Sequence, residues 1–303
     1  MKLRLLAFLI PTVLHAGPYS GAANTSGTEA ISKDDARFVA WASGHSELVY
    51  GTDVDATWKT PAKATGAATD DVYDIVTLGN GGRITMYFPH PLRDGTGADF
   101  AIFENSISHG FLELAFVEVS SDGVNFFRFP NASLTPGVVG PLASNMEATN
   151  INGLASKYKA GFGTPFDLAA LPDSPQFDKQ RVAFVKIIDI IGSGTTKDSN
   201  NRPIYDPYPV VGSGGFDLDA IGAIHVNNGD FELVGFSLAA TTAELEWQSN
   251  PGSTYRVESG TKLDDWLPVG TNLTGRVNRG TTVRTISFSA GPKRFWRVVR
   301  VGG

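Results

Sequence analysis

Apolar and aromatic positions are densest in residues 95–130, apart from the N-terminal run. Short groups of Phe, Val, Ile and Leu alternate there with polar residues, and Ser121, Asp122 and Gly123 form a turn sequence near the end. Groups of this length and composition are typical of strands rather than helices. The pattern therefore predicts two or three core strands in this stretch.

Similar apolar segments occur on both sides of this stretch. Residues 75–78 and 83–88 flank the sequence Asn80-Gly81-Gly82, which predicts a β-hairpin because Asn-Gly accommodates the positive φ angles of a tight turn. Long loops inside a compact domain are often functional. The other predicted segments of this part of the chain are two strands, residues 181–191 and 214–225, and two long loops, residues 131–174 and 192–215.

A short helix is predicted near the start of the ordered chain. Ser32 is a suitable N-cap and Asp35 stands at the third helical position, while Phe38 and Trp41 would share one face. The sequence Asn227-Asn228-Gly229-Asp230 indicates a boundary. Beyond it, short apolar segments with several aromatic residues predict a second, smaller β-sandwich.

Composition agrees with an all-β protein. The chain has 303 residues, of which 42% are hydrophobic and 18% charged, so it can bury a sizeable core. The 34 glycines and 17 prolines follow no collagen-like period and are typical of turns between many short strands. We therefore expect a β-sandwich with long loops over residues 30–228 and a small β-sandwich over residues 231–303.

The N-terminus has the layout of a secretory signal peptide. Lys2 and Arg4 precede an apolar run of about ten residues, and small residues around Ala16 provide a cleavage site. We expect cleavage after residue 16, a flexible lead-in over residues 17–29, a secreted or cell-surface location, and no transmembrane segment in the mature chain. A membrane anchor would need about 20 apolar residues.

Charge and cysteine content exclude several classes of function. Loss of Lys2 and Arg4 would leave 23 basic and 31 acidic residues, a net charge of about −8. Such an acidic chain is not suited to nucleic acid, whose binding depends on clustered Lys and Arg. No cysteine is present, so disulfides and Cys-ligated zinc are excluded. The histidines show no metal-ligand spacing, and no G-x-S-x-G elbow is present.

Six motifs occur in order along the first domain: LGNGGRIT (78–85), GADFAIFEN (97–105), FVEVSSDG (116–123), GTPFDL (163–168), IYDPYP (204–209) and GFDLDAI (215–221). Together they resemble a family of secreted bacterial cell-surface proteins, many of which end in a PEP-CTERM sorting tail. This resemblance implies a galactose-binding-like (discoidin-type) β jelly roll, a fold that commonly holds structural calcium and often binds glycans. The sorting tail itself has no counterpart here.

The C-terminal segment resembles the small fibronectin-like domains of secreted bacterial proteins. The matching residues are Trp266 and the segments 255–259 and 295–298. Neither resemblance implies catalytic residues.

Oxygen-bearing side chains near the predicted strand ends are candidate calcium ligands, since calcium takes 6 to 8 oxygen ligands. The candidates are Asp99, Glu104, Asn105, Asp217 and Asp219. Alternation places Glu104 on the apolar side of its strand, where it needs a partner: calcium, backbone amides, or an arginine such as Arg83 or Arg128. Asp217 and Asp219 would share a face and either bind a cation or face water.

Aromatic residues on the two predicted long loops are candidates for ligand binding. Phe162, Tyr205 and Tyr208 could stack on sugar rings, or the Tyr-Asp-Pro-Tyr-Pro sequence could form a rigid loop that packs on itself.

Three functions follow as hypotheses. The first is an exported, non-enzymatic cell-surface or matrix protein, stabilised by calcium, that binds glycan or another envelope component. The second is a secreted carbohydrate-active enzyme that pairs Glu104 with Glu113 or Glu118, since glycoside hydrolysis uses two carboxylates. The third is a purely structural adhesion or assembly protein. The sequence makes no prediction of the oligomeric state.

Overall fold

The computed structural model describes residues 17–229, 231–289 and 294–302, so the predicted signal peptide lies outside the described residues. Strands account for 41% of the chain and helices for 5%, which confirms the prediction of an all-β sandwich protein. None of the helices within the described ranges has the length and apolar character that crossing a membrane requires.

Two antiparallel sheets form the first part of the chain, residues 17–229. Sheet A has six strands there, in the order β1 (Ile31–Ser32), β11 (Phe162–Phe166), β6 (Phe100–Glu104), β15 (Asp217–Ala223) and β2 (Ala40–Trp41), with β4 (Val76–Thr77) paired to the other end of β15. Sheet B has five strands in the same range, in the order β3 (Gly44–Val49), β5 (Arg83–Leu92), β12 (Val182–Asp189), β7 (Ala115–Ser120) and β8 (Phe127–Arg128).

Alternating side chains explain why sheet A is buried on both faces. Phe100 and Ile102 of β6 contribute to the large core shared with strands of sheet B. Ala101 and Phe103 of the same strand point the other way, into a smaller cluster that includes Phe38. Every residue of β6 is consequently buried, and a polar side chain at either end of the strand is removed from solvent.

The stretch 95–130 contains three strands, β6, β7 and β8, as its pattern predicted, although they are divided between the two sheets. The predicted hairpin at residues 75–88 is wrong. Gly79 and Gly81 do adopt positive φ angles in a tight turn, but β4 leaves it to pair with β15 and β5 leaves it to pair with β3 and β12. Local turn chemistry did not identify the long-range partners.

The predicted helix after Ser32 is also wrong. The segment forms β1, a turn and β2 instead, and the Asp35 carboxylate accepts hydrogen bonds from the Arg37 backbone and guanidinium inside that turn. The rings of Phe38 and Trp41 pack on Phe103, on the outer face of sheet A. A helix this short is marginal by itself, so the aromatic packing decides the conformation.

The two predicted long loops contain more regular structure than expected. Additional strands within residues 131–229 are β9 (Ala132–Ser133), β10 (Ile151–Asn152), β11, and the hairpin formed by β13 (Ser193–Lys197) and β14 (Pro203–Tyr205). Four short 3-10 helices lie within residues 17–229, at Ala56–Trp58, Pro61–Ala64, Ala148–Asn150 and Leu168–Ala170. Residues 17–29, expected to be a flexible lead-in, donate backbone hydrogen bonds to Thr149 and bury Ala23.

The C-terminal part has its own buried cluster, built around Trp247 and Tyr255. Its described strands form sheet C, with β16 (Leu233–Leu238), β17 (Thr242–Gln248) and β21 (Thr281–Ser287), and sheet D, with β18 (Thr254–Gly260), β19 (Leu267–Pro268), β20 (Leu273–Thr274) and β22 (Phe295–Gly302). Asn250 joins this part to sheet B by accepting a hydrogen bond from buried Arg181 at 2.8 Å and donating one to the Pro89 carbonyl at 3.1 Å.

Candidate metal site

Three buried carboxylates meet where β6 ends and β15 begins. These strands are antiparallel neighbours, and Glu104 at the end of β6 stands opposite Leu218, next to Asp217. Glu113 reaches the same place from the irregular segment before β7. One oxygen from each carboxylate lies within 4.8 Å of the others, and the three residues are only 1%, 4% and 5% exposed. This acidic cluster could hold a metal ion.

The hydrogen bonds around this cluster leave oxygens without donors. Glu104 Oε2 accepts bonds from the Ser106 backbone N–H and the Ser156 hydroxyl, each at 2.8 Å. Buried Glu104 Oε1 and Glu113 Oε1 have no hydrogen-bond partner among the described residues. Buried polar atoms are normally satisfied, so these two oxygens require another positive or donating group.

Asp217 is held in place by neutral side chains. It accepts a short hydrogen bond from the Thr77 hydroxyl, and the neighbouring Asn105 side chain lowers its pKa. The Asn105 amide nitrogen donates a further bond to the Val72 carbonyl at 2.8 Å. Neutral donors orient the carboxylate without cancelling its charge.

Two more buried carboxylates, Asp189 and Asp206, surround the cluster. Asp189 accepts backbone hydrogen bonds from Gly81 and Phe216, both at 2.7 Å, and Asp206 accepts one from Leu114 at 2.8 Å. No Lys, Arg or His among the described residues forms an ion pair with any of these five carboxylates. Within the described ranges, no basic side chain therefore compensates the negative charge of this region.

Burial raises the pKa values of all five groups, and repulsion from neighbouring carboxylates adds to the effect in Glu104, Glu113, Asp206 and Asp217. Burial is the main cause for Glu104 and Glu113, whose pKa values are raised well above the ordinary range, and the charge of Asp217 adds to the effect in both. Burial also raises the pKa of Asp217 to about 7 and that of Asp189 to about 6. The pKa of Asp206 is raised well above its ordinary value by burial and by the charge of Asp189.

Coulomb's law shows why three ionised carboxylates need a cation here. Two unit charges 4.8 Å apart repel by about 3.5 kcal/mol at an effective dielectric constant of about 20. The three pairs together amount to about 10 kcal/mol, as large as the net stability of a typical protein. The cluster must therefore either bind protons or bind a cation.

The structure brings together only some of the predicted ligands. Glu104, Asn105 and Asp217 are neighbours, whereas Asp219 accepts a hydrogen bond from the Thr69 N–H at 3.0 Å. A β-bulge explains the separation, because Leu218 pairs with Glu104 and Ala220 with Phe103, which leaves Asp219 as the extra residue. Regular alternation, on which the sequence prediction relied, does not hold at this position.

Asp99 lies at the other end of β6. Five residues of extended strand span about 17 Å, so Asp99 and Glu104 do not share an ion. Asp99 instead forms a second acidic group with Asp94 and Asp167, within 4.8 Å. Its two oxygens accept hydrogen bonds from the Gly95 and Leu168 N–H groups and contact His225 Nδ1 at 2.7 Å. These contacts satisfy the Asp99 carboxylate, which therefore fastens three chain segments together.

The predicted arginine partners of Glu104 bind elsewhere or remain at the surface. Arg128 forms an ion pair with Glu118 at 2.7 Å on the outer face of sheet B, and Arg83 is exposed. Backbone and hydroxyl donors satisfy half of the Glu104 carboxylate, and its other half faces the acidic cluster.

The three predicted ligand-binding aromatics are half-buried and belong to different elements. Phe162 lies in β11 of sheet A, with the Lys159 ammonium 5.9 Å from its ring centroid. Tyr205 lies in β14 and packs against a buried apolar cluster. The Tyr208 N–H donates a long backbone hydrogen bond, 3.4 Å, to Val139. The structure does not place Phe162 on a loop.

Sequence reasoning did not identify Asp189 and Asp206 as part of this region, and it considered Glu113 only as a catalytic partner. A signal for Asp189 and for Glu113 was present. Asp189 interrupts the apolar run Ile187-Ile188-Asp189-Ile190-Ile191, and Glu113 stands between two leucines. An acid inside such a run indicates burial and hence a need for a partner.

No protein-family model matches the chain, and no curated protein is significantly similar to it.

Proposed function

We propose that this protein is an exported, non-enzymatic cell-surface or matrix protein whose first β-sandwich is stabilised by calcium. The observation that supports this proposal most directly is the buried group of Glu104, Glu113 and Asp217, in which two carboxylate oxygens have no hydrogen-bond donor among the described residues. A cation at this position would compensate charge that the described residues leave uncompensated.

The chemistry of the site favours calcium over other metals. Oxygen is the ligand atom of every group in the cluster, which suits a hard cation rather than zinc or copper. Magnesium usually keeps several of its waters, whereas calcium takes 6 to 8 oxygen ligands, from the protein and from water, in a flexible geometry. Asn105 and Thr77 stand beside Asp217 and offer further oxygens.

Burial argues against the alternative of a glycosidase at the same carboxylates. Glycoside hydrolysis needs two acids on either side of an accessible sugar bond. Glu104 and Glu113 are 1% and 4% exposed, and Glu118, the other suggested partner, is paired with Arg128. A buried, crowded acidic group is better suited to holding an ion than to admitting a saccharide.

Export and glycan binding complete the proposal. The signal-peptide layout of the first 16 residues supports export, and the half-exposed rings of Phe162 and Tyr208 support recognition of a glycan or another envelope component. A purely structural assembly role is the alternative, and it predicts self-association without a small ligand.

Isothermal titration calorimetry of the chelator-treated protein tests the metal part of this proposal. We expect one calcium ion to bind per chain and the melting temperature to rise. Absence of binding heat together with identical melting curves in EDTA and calcium would refute it. A glycan array, run with the wild type and with Phe162→Ala and Tyr208→Ala, tests the second part, which fails if no glycan is bound above background.

A further inference from the structure

The segment 154–161 connects the acidic cluster to the N-terminal segment 17–29. At its centre, Ser156 is 1% exposed and donates its hydroxyl to Glu104 Oε2 at 2.8 Å. The Ser156 backbone has a φ of 64°, a conformation that non-glycine residues rarely adopt. Such a conformation persists only where the surroundings hold it, and the Glu104 carboxylate is part of those surroundings.

The next two residues hold the N-terminal segment. Lys157 is 3% exposed, and its ammonium donates a hydrogen bond to Ser20 Oγ at 2.7 Å. The buried Tyr158 hydroxyl lies 3.0 Å from the same Ser20 oxygen. Ser20 in turn donates to Glu29 Oε2 at 2.8 Å, which links the two ends of the N-terminal segment.

A second connection runs through the backbone. The Ala160 N–H donates to the Ser106 carbonyl at 2.9 Å, and the Ser106 N–H donates to Glu104 Oε2 at 2.8 Å. One oxygen of Glu104 thus fixes both Ser106 and Ser156, and through them the segment that holds Ser20. Backbone N–H groups of Gly17 and Tyr19 also donate to the Thr149 hydroxyl and carbonyl, respectively.

We propose that calcium at the acidic cluster controls the docking of residues 17–29 onto the sandwich; this inference rests on the proposed calcium site. A bound cation draws the three carboxylates together and keeps Glu104 Oε2 aimed at Ser156. Without the cation, repulsion from Glu113 and Asp217 displaces the Glu104 carboxylate. Ser156 then loses its acceptor, and Lys157 and Tyr158 release Ser20.

Hydrogen exchange followed by mass spectrometry tests this coupling on the full mature chain. In EDTA, peptides covering residues 17–29 and 154–161 should exchange about tenfold faster than in calcium, the effect expected from losing one hydrogen bond to a charged group. Peptides of β17 in sheet C should exchange at the same rate in both buffers, because that strand lies in the other sandwich.

Two variants and one control test the connection between Glu104 and Ser20 separately from the metal site. Ser156→Gly tolerates the positive φ and removes the hydroxyl, so residues 17–29 should exchange rapidly even at a calcium concentration that titration calorimetry shows to saturate the variant. Asn201→Gly is the matched control, because Asn201 is an exposed non-glycine residue with a φ of 62°. Lys157→Met removes the bond to Ser20 and should release the N-terminal segment without changing exchange at Ser106.

The outcomes distinguish the two proposals. If calcium binds and the exchange of residues 17–29 responds to it in the wild type but not in Ser156→Gly, the coupling is supported. If calcium binds but this exchange is the same in both buffers, the coupling is overturned and the calcium site stands. If titration calorimetry detects no calcium binding, the proposed site and the coupling both fail.

Discussion

Replacing Glu113 by glutamine separates the two roles that a buried carboxylate can have. Glutamine keeps the shape of the side chain and removes its charge. At 4.8 Å, the charge of Glu113 repels those of Glu104 and Asp217 by about 3.5 kcal/mol each at an effective dielectric constant of about 20. Partial protonation relieves much of this repulsion in the metal-free protein, so we expect Glu113→Gln to stabilise that form by about 1–2 kcal/mol.

In the presence of calcium, we expect Glu113→Gln to destabilise the protein relative to the wild type. At a free concentration about 100-fold above its dissociation constant, calcium stabilises the wild type by about 2.7 kcal/mol, or roughly 5–10 °C in melting temperature for a domain of this size. Loss of one of three charged ligands costs about 2–3 kcal/mol of binding, roughly a hundredfold in affinity. The calcium-induced rise should therefore nearly disappear in Glu113→Gln.

Differential scanning calorimetry of both proteins, each in excess EDTA and in calcium, gives the four melting temperatures that this reasoning needs. Glu118→Gln is the control, because Glu118 lies close in sequence but forms a surface ion pair with Arg128. Its calcium-induced rise should equal that of the wild type, since surface ion pairs contribute about 0–1 kcal/mol. A Glu113→Gln protein that melts lower than wild type in EDTA and keeps the full rise in calcium would refute the assignment.

Three further predictions concern other parts of the molecule. Asp99→Asn should lower the free energy of unfolding by about 1–3 kcal/mol, equally in EDTA and calcium. Both oxygens of the Asp99 carboxylate accept hydrogen bonds, whereas an amide has only one acceptor oxygen. Urea titration checks this prediction, and a selective loss of the calcium effect would contradict it. In EDTA, the free energy of unfolding should fall as the pH rises from about 4 to about 7. Asp189 and Asp217 have folded pKa values of about 6 and about 7, above the unfolded value of about 3.9. Because both groups bind protons more tightly in the folded state, their stabilising effect is complete below the unfolded pKa and is lost as the pH rises through the folded pKa. A flat profile between these pH values, measured by urea unfolding, would contradict it. Asn250→Ala should leave buried Arg181 without its acceptor, which costs about 1.5–3 kcal/mol, and should split the calorimetric transition of the two sandwiches into two; a single unchanged transition would show that this contact does not couple them.

Strand positions could be predicted from the sequence because each depends on a local pattern. The groups Phe100–Glu104 and Ala115–Ser120 are short, mostly apolar runs, as strands buried on both faces are, and the position of Glu104 on the same face as Phe100 and Ile102 correctly predicted that it is buried. Strand partners could not be predicted in the same way. The turn at Gly79 and Gly81 has hairpin chemistry, yet its two flanking strands pair with distant segments.

The composition of the acidic cluster could not be predicted from local sequence patterns. Alternation treats Asp217 and Asp219 as equivalent, and a single extra residue in β15 turns Asp217 toward Glu104 and Asp219 toward Thr69. Glu113, Asp189 and Asp206 arrive from three other segments, so only the pairing of the strands decides that they meet. The sequence does show acids within or at the end of apolar runs, at Glu104, Glu113 and Asp189, and no Lys, Arg or His among the described residues forms an ion pair with any of them. Charge that is buried at several places and balanced at none of them is an argument for a ligand outside the chain, and the calorimetric comparison of Glu113→Gln with Glu118→Gln measures whether that ligand is a cation.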